Sequence, residues 1–341
     1  MTGRIVALPS AGFTEMSRWR PCPAGFLAYD PGVKSERPRL LGIASAVTAF
    51  LLWGLFPLYW KLLAAVPSLE VVAHRTAWGF ASVALWVTLR RRWTLALAAA
   101  RPRTLLALSG SAVLIGLNWL LFIWAVAHDH VVEASLGYYI NPLISVVLGV
   151  LVLRERLGRA QLAAVALAGA GVLVLTLGHG RFPWIAFALA ISFALYGLVR
   201  KTVAADAVTG LLWETGLLTP AAVALLLVLA SRGAGAFAHA PPLTSALLAL
   251  GGAVTAVPLV LFAQGARALP LSTLGLIQYL APSLQFLLAV AVFGEPFTPA
   301  HLLAFGCIWS ALALLSWDLR RRLRVGDSLV SSVTARAAPT R

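Results

Sequence analysis

The blocks "VVAHRTAW" and "GLLWET" set His74, Arg75 and Glu214 among apolar neighbours. In hydrocarbon an ionisable side chain costs roughly 2.5–3.5 kcal/mol on insertion scales, so it marks an ion pair, a proton relay or a ligand contact. Glu133 and Arg267, at the ends of two other apolar blocks, are the candidate partners. Uncharged polar and aromatic residues recur within blocks: Asn118, Asn141, Gln264 and Gln278, with Trp53, Tyr138, Tyr139, Tyr196 and Tyr279. A few hydrogen-bonding groups among aromatic rings are what small-molecule sites usually present. The same residue types also make interhelical hydrogen bonds or aromatic belts. His128, Asp129 and His130 form a compact cluster of catalytic types, but in a short polar link where solvated residues are ordinary. No Walker A lysine loop occurs, and Cys22 and Cys307 offer no zinc spacing. No cofactor, metal or catalytic residue is expected.

The elements that must carry these residues follow from composition. Of 341 residues, 60% are hydrophobic and 11% charged, against roughly 25% charged in soluble domains. A soluble globular protein is excluded. The apolar residues form blocks long enough to span a bilayer as helices, without the alternation of a transmembrane barrel. The net charge of +15 would suggest nucleic acid in a soluble protein. Here the basic residues cluster at block ends, as in Arg90-Arg91-Arg92 and Arg320-Arg321-Arg322, which marks cytoplasmic loops. The bilayer, and not nucleic acid, is the expected partner.

Ten spans result: roughly 40–62, 69–89, 104–126, 131–153 and 160–178, then 182–200, 208–230, 244–266, 271–293 and 298–317. With the N-terminus inside, cytoplasmic segments hold 23 of the 27 Lys and Arg residues, so both termini are expected in the cytoplasm. Residues 1–38 and the end of the chain from about Val325 are polar and expected to be disordered.

The stretches "NPLISVVLGVLVLRE" and "APSLQFLLAVAVFGE" lie 140 residues apart. In that single register Pro142 falls on Pro282, Glu155 on Glu295, Tyr139 on Tyr279, Phe122 on Phe262 and Lys61 on Lys201. This points to a duplicated five-span unit, residues 39–178 and 179–319, followed by a basic cytoplasmic tail, 320–341. Five is odd, so the second copy enters the membrane from the opposite side. Such inverted repeats build many secondary transporters, with substrate sites near the midplane. Pro142 and Pro282 are expected to kink their helices, either around a watery pathway or merely for packing.

His74 and Arg75 lie about 9 Å below the outer surface and Glu214 about 9 Å above the inner one. An Arg75–Glu214 pair is therefore not expected. Arg75 with Glu133 outside, and Glu214 with Arg267 inside, are expected either as gate-side ion pairs, as substrate or proton groups, or as anchors of helix packing. Glu155 and Glu295 read as interfacial helix ends. The small-residue face "AQLAAVALAGAG" permits close helix contact, within the chain or in a homodimer.

"WGLFPLYWK", "VVAHRTAW", "IGLNWLLFIWAVAHDHVVEASLGYYINPL", "SFALYGLVRK", "GLLWET" and "LSTLGLIQYLAPSLQFLLAVAVFGE" together resemble the RarD branch of the EamA family, within the drug/metabolite transporter superfamily. The resemblance covers about Arg39 to Arg324. It implies an all-α, ten-helix, inverted-repeat transporter of small metabolites or drugs in the inner membrane, working by alternating access. A non-transporting accessory protein and an intramembrane enzyme are the competing readings. Members of the branch are often labelled chloramphenicol-sensitivity proteins, a label that fixes no substrate. The N-terminal tail is longer than the few residues that usually precede the first span; a start codon placed too far upstream accounts for it.

Overall fold

The computed structural model describes residues 36–153, 158–179, 181–237, 239–269 and 277–336. The tail expected over residues 1–38 therefore lies outside the described residues up to residue 35, and the first helix already begins at Glu36. Among the described residues the regular structure is wholly helical. In chain order these are α1 (Glu36–Lys61), α2 (Ser68–Leu89), α3 (Trp93–Ala98), α4 (Pro102–Ala127), α5 (Val131–Leu153) and α6 (Arg159–His179). They are followed by α7 (Trp184–Thr202), α8 (Ala207–Ser231), α9 (Pro242–Ala268), α10 (Leu280–Ala291) and α11 (Pro299–Arg336).

The helix starts are written in the sequence. Pro102 and Pro242 open α4 and α9, where the missing N–H would have had no intrahelical acceptor. Asp206 caps α8, its Oδ1 accepting from the N–H groups of Val208 and Thr209. The short α3 was not foreseen; it lies in the basic link after α2 and is held by Trp213, whose indole N–H donates to the Ala96 carbonyl at 2.9 Å. The end of the chain also differs from expectation. Helix α11 continues unbroken to Arg336, because the next proline after Pro299 is Pro339 and polar composition alone does not stop a helix.

Among the described residues, six helices contain segments long and apolar enough to cross a membrane, such as Pro102–Ala127 and Ala207–Ser231. Large apolar side chains point outward along them: Leu106 is 76% exposed, Leu177 75% and Leu243 71%. A bilayer covers such surfaces at no cost; water would not.

Packing is close where side chains are small. Helix α2 packs on α8 and α9, α5 on α7 and α10, α4 on α7, and α6 on α11. A Cβ on Gly252 of α9 would stand 2.2 Å from the carbonyl carbon of Trp78, so only glycine allows α2 and α9 to approach this far. Gly171 of α6 likewise faces Ala304 and Cys307 of α11. Of the small residues of α6, Ala164, Ala168 and Gly171 are buried within the chain, whereas Ala163, Ala166, Gly169 and Ala170 are exposed.

The two prolines behave differently. Pro142 lies inside an unbroken α5. Pro282 was expected mid-helix, but residues 278–279 form a turn and α10 starts at Leu280. Pro282 therefore occupies a first turn, where its missing N–H is tolerated. The Gln278 carbonyl, which a proline at 282 cannot serve, accepts from Ala281 N–H at 3.4 Å.

Candidate functional site

The polar residues resolve into a cluster at one end of the helices, a set of clasps at the other and an aromatic layer between them. At one end, Glu214 is fully buried. Its Oε1 accepts from the Ser111 hydroxyl at 2.6 Å and lies 3.7 Å from Arg200 Nε; its Oε2 accepts from the Tyr196 hydroxyl at 3.3 Å. Arg200 also donates to the Asp206 carbonyl at 3.0 Å. It lies directly across Gly210 of α8, where a Cβ would fall 1.8 Å from Nη1. Glycine clears the path. The expected partner Arg267 has its side chain outside the described residues; the cation that Glu214 does meet comes from the end of α7. Sequence spacing missed Arg200 because it read as a loop marker, although it follows Tyr196 by one helical turn.

At the other end the expected Arg75–Glu133 pair gives way to separate partners. Glu133 Oε1 accepts from the N–H groups of Ile185 (2.9 Å) and Ala186 (3.5 Å) at the start of α7, where free N–H groups and the helix dipole favour a carboxylate. Glu295 does the same for α5: Val131 N–H donates to Oε1 and Val132 N–H to Oε2, each at 2.7 Å. Burial pushes the Glu295 carboxyl up, and these two N–H bonds pull it part of the way back. Glu70, buried in the first turn of α2, accepts from Ala236 N–H at 2.6 Å. Lys61 pairs with Asp129 at 2.5 Å. That pair, together with His128 and His130 stacked on Trp124, accounts for the would-be catalytic cluster as a solvated link.

His74 lies 4.0 Å from Glu70 and stacks on Phe237 at 4.9 Å. Arg75 is 4% exposed. Its guanidinium sits over Trp119 at 4.2 Å, Trp60 at 5.0 Å and Phe56 at 5.8 Å, and its Nε and Nη1 are buried without a hydrogen-bond partner. Each cation–π contact contributes roughly 0.5–2 kcal/mol, against several kcal/mol for burying an unpaired ion.

The central layer is aromatic. Tyr139 and Tyr279 stack with ring centroids 6.4 Å apart and 15° between planes. The Tyr139 hydroxyl shares a 2.6 Å hydrogen bond with Ser283. They open on a 700 Å³ cavity that includes Phe286, Trp309 and Trp317. Tyr138 packs edge-on against Phe122 and Phe193. The other expected lining residues are spent on helix contacts. Asn118 is buried and donates to the Leu189 carbonyl and to Ser192. Asn141 reaches the Ala190 carbonyl at 3.4 Å. Trp53 packs edge-on against Phe50 and at a tilt against Phe262, and its carbonyl accepts from Gln285. Gln264 is exposed, accepting from Ser45 at 3.4 Å. Gln278 lies in the turn before α10. Gln285 went unremarked in the sequence because it has no polar neighbour to draw attention to it.

Apolar helices with lipid-ready surfaces, and with ionisable groups tied off at their ends, define a multi-pass integral membrane protein. The EamA-like transporter family matches residues 40–177. Protein RarD of Streptomyces exfoliatus is 44% identical over 309 residues, 90% of this chain and 97% of that protein. The uncharacterized transporter YojE of Bacillus subtilis (strain 168) is 42% identical, covering 84% and 97%. Protein RarD of Escherichia coli (strain K12) is 45% identical, covering 81% and 94%. The chain belongs to the EamA-like transporter family, in its RarD branch. A crystal structure of a protein 22% identical to it, with a TM-score of 0.52 over 82% of this chain and 96% of that one, shows the likeness of the fold. Family names point to transport and away from catalysis.

Proposed function

We propose that the protein is a secondary transporter, an exporter or permease, of small metabolites or drugs. In this reading it sits in the inner (plasma) membrane with both termini in the cytoplasm, and its ten spans form two inverted repeats, residues 39–178 and 179–319, that alternate access to a shared site.

The observation that carries the reading is the Tyr139–Tyr279 stack. These residues coincide under the 140-residue shift, and equivalent residues that touch each other must lie on a two-fold axis between the copies. The neighbouring contacts support the same axis. Equivalent helices meet as α2 with α8, α5 with α10 and α6 with α11. The packing of α5 on α7 is mirrored by α1 on α10, where Gln285 reaches Trp53. That of α4 on α7 is mirrored by α1 on α9, where Trp53 meets Phe262. The clasps of Glu70, Lys61, Glu133 and Glu295 join helix ends that strict alternation assigns to the outer face. The Arg200–Glu214 cluster falls on the inner face. Membrane carriers of this kind place their substrate between the copies.

Reconstitution tests the reading. Purified protein in sealed liposomes is expected to give saturable, protein-dependent flux of a labelled small molecule, and both termini should report cytoplasmic in reporter fusions. Termini on opposite faces, or no flux across a broad compound panel, would refute it.

A further inference from the structure

Arg75 is a buried cation without a counter-ion among the described residues. The nearby acids face other groups: Glu70 Oε1 accepts from Ala236, Glu133 from the start of α7, and Glu214 meets Arg200 and Ser111; Glu70 Oε2 is buried without a partner, yet forms no ion pair with Arg75. Two guanidinium nitrogens, Nε and Nη1, keep unanswered N–H groups. Arginine stays protonated in proteins, so the charge remains whatever surrounds it. Its neighbours are rings: Trp119, Trp60 and Phe56, with Tyr59 and Tyr138 within electrostatic reach. The Tyr59 hydroxyl donates to the Leu247 carbonyl.

We propose that Arg75 is an anion-recognition residue on the transport path, and that the substrate class is a small organic carboxylate with a flat apolar body. This rests on the carrier reading above. The planar fork of guanidinium N–H groups matches a carboxylate, and the indole and phenyl faces suit an apolar body. One positive charge answers one negative charge. A phosphate dianion would call for a second free cation, but Lys61 is held by Asp129 and Arg200 by Glu214. The residues come from α1, α2, α4 and α5, so a carboxylate arriving at Arg75 would touch four helices at once. That is where occupancy can be coupled to rearrangement.

The test is equilibrium binding of radiolabelled benzoate to detergent-purified full-length protein, with benzamide and phenyl phosphate as competitors. Saturable benzoate binding is expected, with benzamide competing at least tenfold less well, since a charge-assisted hydrogen bond is worth that much or more. Arg75→Gln should weaken binding at least tenfold and Arg75→Lys by less. If Arg75→Gln fails to fold, the benzoate–benzamide contrast in the unaltered protein and a weakening by Trp119→Leu decide. No benzoate binding, equal competition by benzamide, or undiminished binding by folded Arg75→Gln would overturn the proposal. Phenyl phosphate binding tighter than benzoate would overturn the carboxylate assignment. Arg75-dependent binding without flux in liposomes sinks the carrier reading and leaves the anion site standing. Flux of neutral compounds without benzoate binding does the reverse.

Discussion

Tyr139 and Tyr279 lie face to face, 6.4 Å between ring centroids, although 140 residues separate them. Tyr139 is 3% exposed and also abuts Phe305 and Trp309. The stack should therefore be energetically coupled. A double-mutant cycle with Tyr139→Leu and Tyr279→Leu, read by unfolding in mixed micelles, is expected to give a coupling of about 0.5–1.5 kcal/mol. Strict additivity would show that the two rings merely sit near each other. Tyr139→Phe, which removes only the hydroxyl bonded to Ser283, should cost about 0.5–1.5 kcal/mol.

The Arg200–Glu214 pair makes a second prediction. Arg200→Met leaves the Glu214 carboxylate buried without its cation, at an expected cost of about 3–5 kcal/mol. Adding Glu214→Gln removes the stranded charge, and the amide oxygen keeps an acceptor for Ser111 while the amide NH2 can donate to the Tyr196 hydroxyl in place of the lost acceptor. The double variant should recover most of the loss. Equal instability of the single and double variants would place the pair outside the stability of the fold.

Helix approach offers a third. Gly252→Ala forces a methyl group into the Trp78 backbone and should destabilise by about 1–3 kcal/mol. Gly110, whose added Cβ would meet nothing within 4 Å, is the control: Gly110→Ala should stabilise by up to about 1 kcal/mol, because alanine is the better helix former. The two melting temperatures should move in opposite directions.

Asp206 gives the pH dependence. Burial alone would raise its pKa, but bonds from the Thr209 hydroxyl and from the Thr209 and Val208 N–H groups, with the charge of Arg92, hold it below the ordinary aspartate value. A depressed carboxyl stabilises the fold above its unfolded pKa, and that contribution is lost as pH falls through the folded value. The stability gap between the parent chain and Asp206→Asn is thus expected to be full near neutrality and to close below the usual carboxylate range. A gap that is constant with pH would count against the charged cap.

Much of the helical order was legible in the sequence because lipid leaves a chain few options: apolar length sets span length, and basic clusters set the ends. The start of α8 at Ala207 and of α4 at Pro102 could be read to within two residues. The α3 turn could not, since it exists through one tertiary bond, Trp213 to Ala96. The polar partners were the harder part. Spacing along each helix shows that Arg75 and Glu133 lie toward the same ends of their helices, yet not that Glu133 faces the free N–H groups of α7 while Arg75 faces Trp119. Azimuth about the helix axis decides this, and apolar helices with weak sidedness conceal it. Depth and residue type left Asn118 open between lining a site and an interhelical hydrogen bond; its amide donates to Leu189 and Ser192 of α7, partners that no single span reveals.

Glu295 holds two consecutive N–H groups of α5 from the far end of α10. A carboxylate gripping both strands of a seam in this way acts as a rivet. Any motion that parts the start of α5 from the end of α10 must first tear both bonds, so the easier course is for the two helices to swing together as one spar.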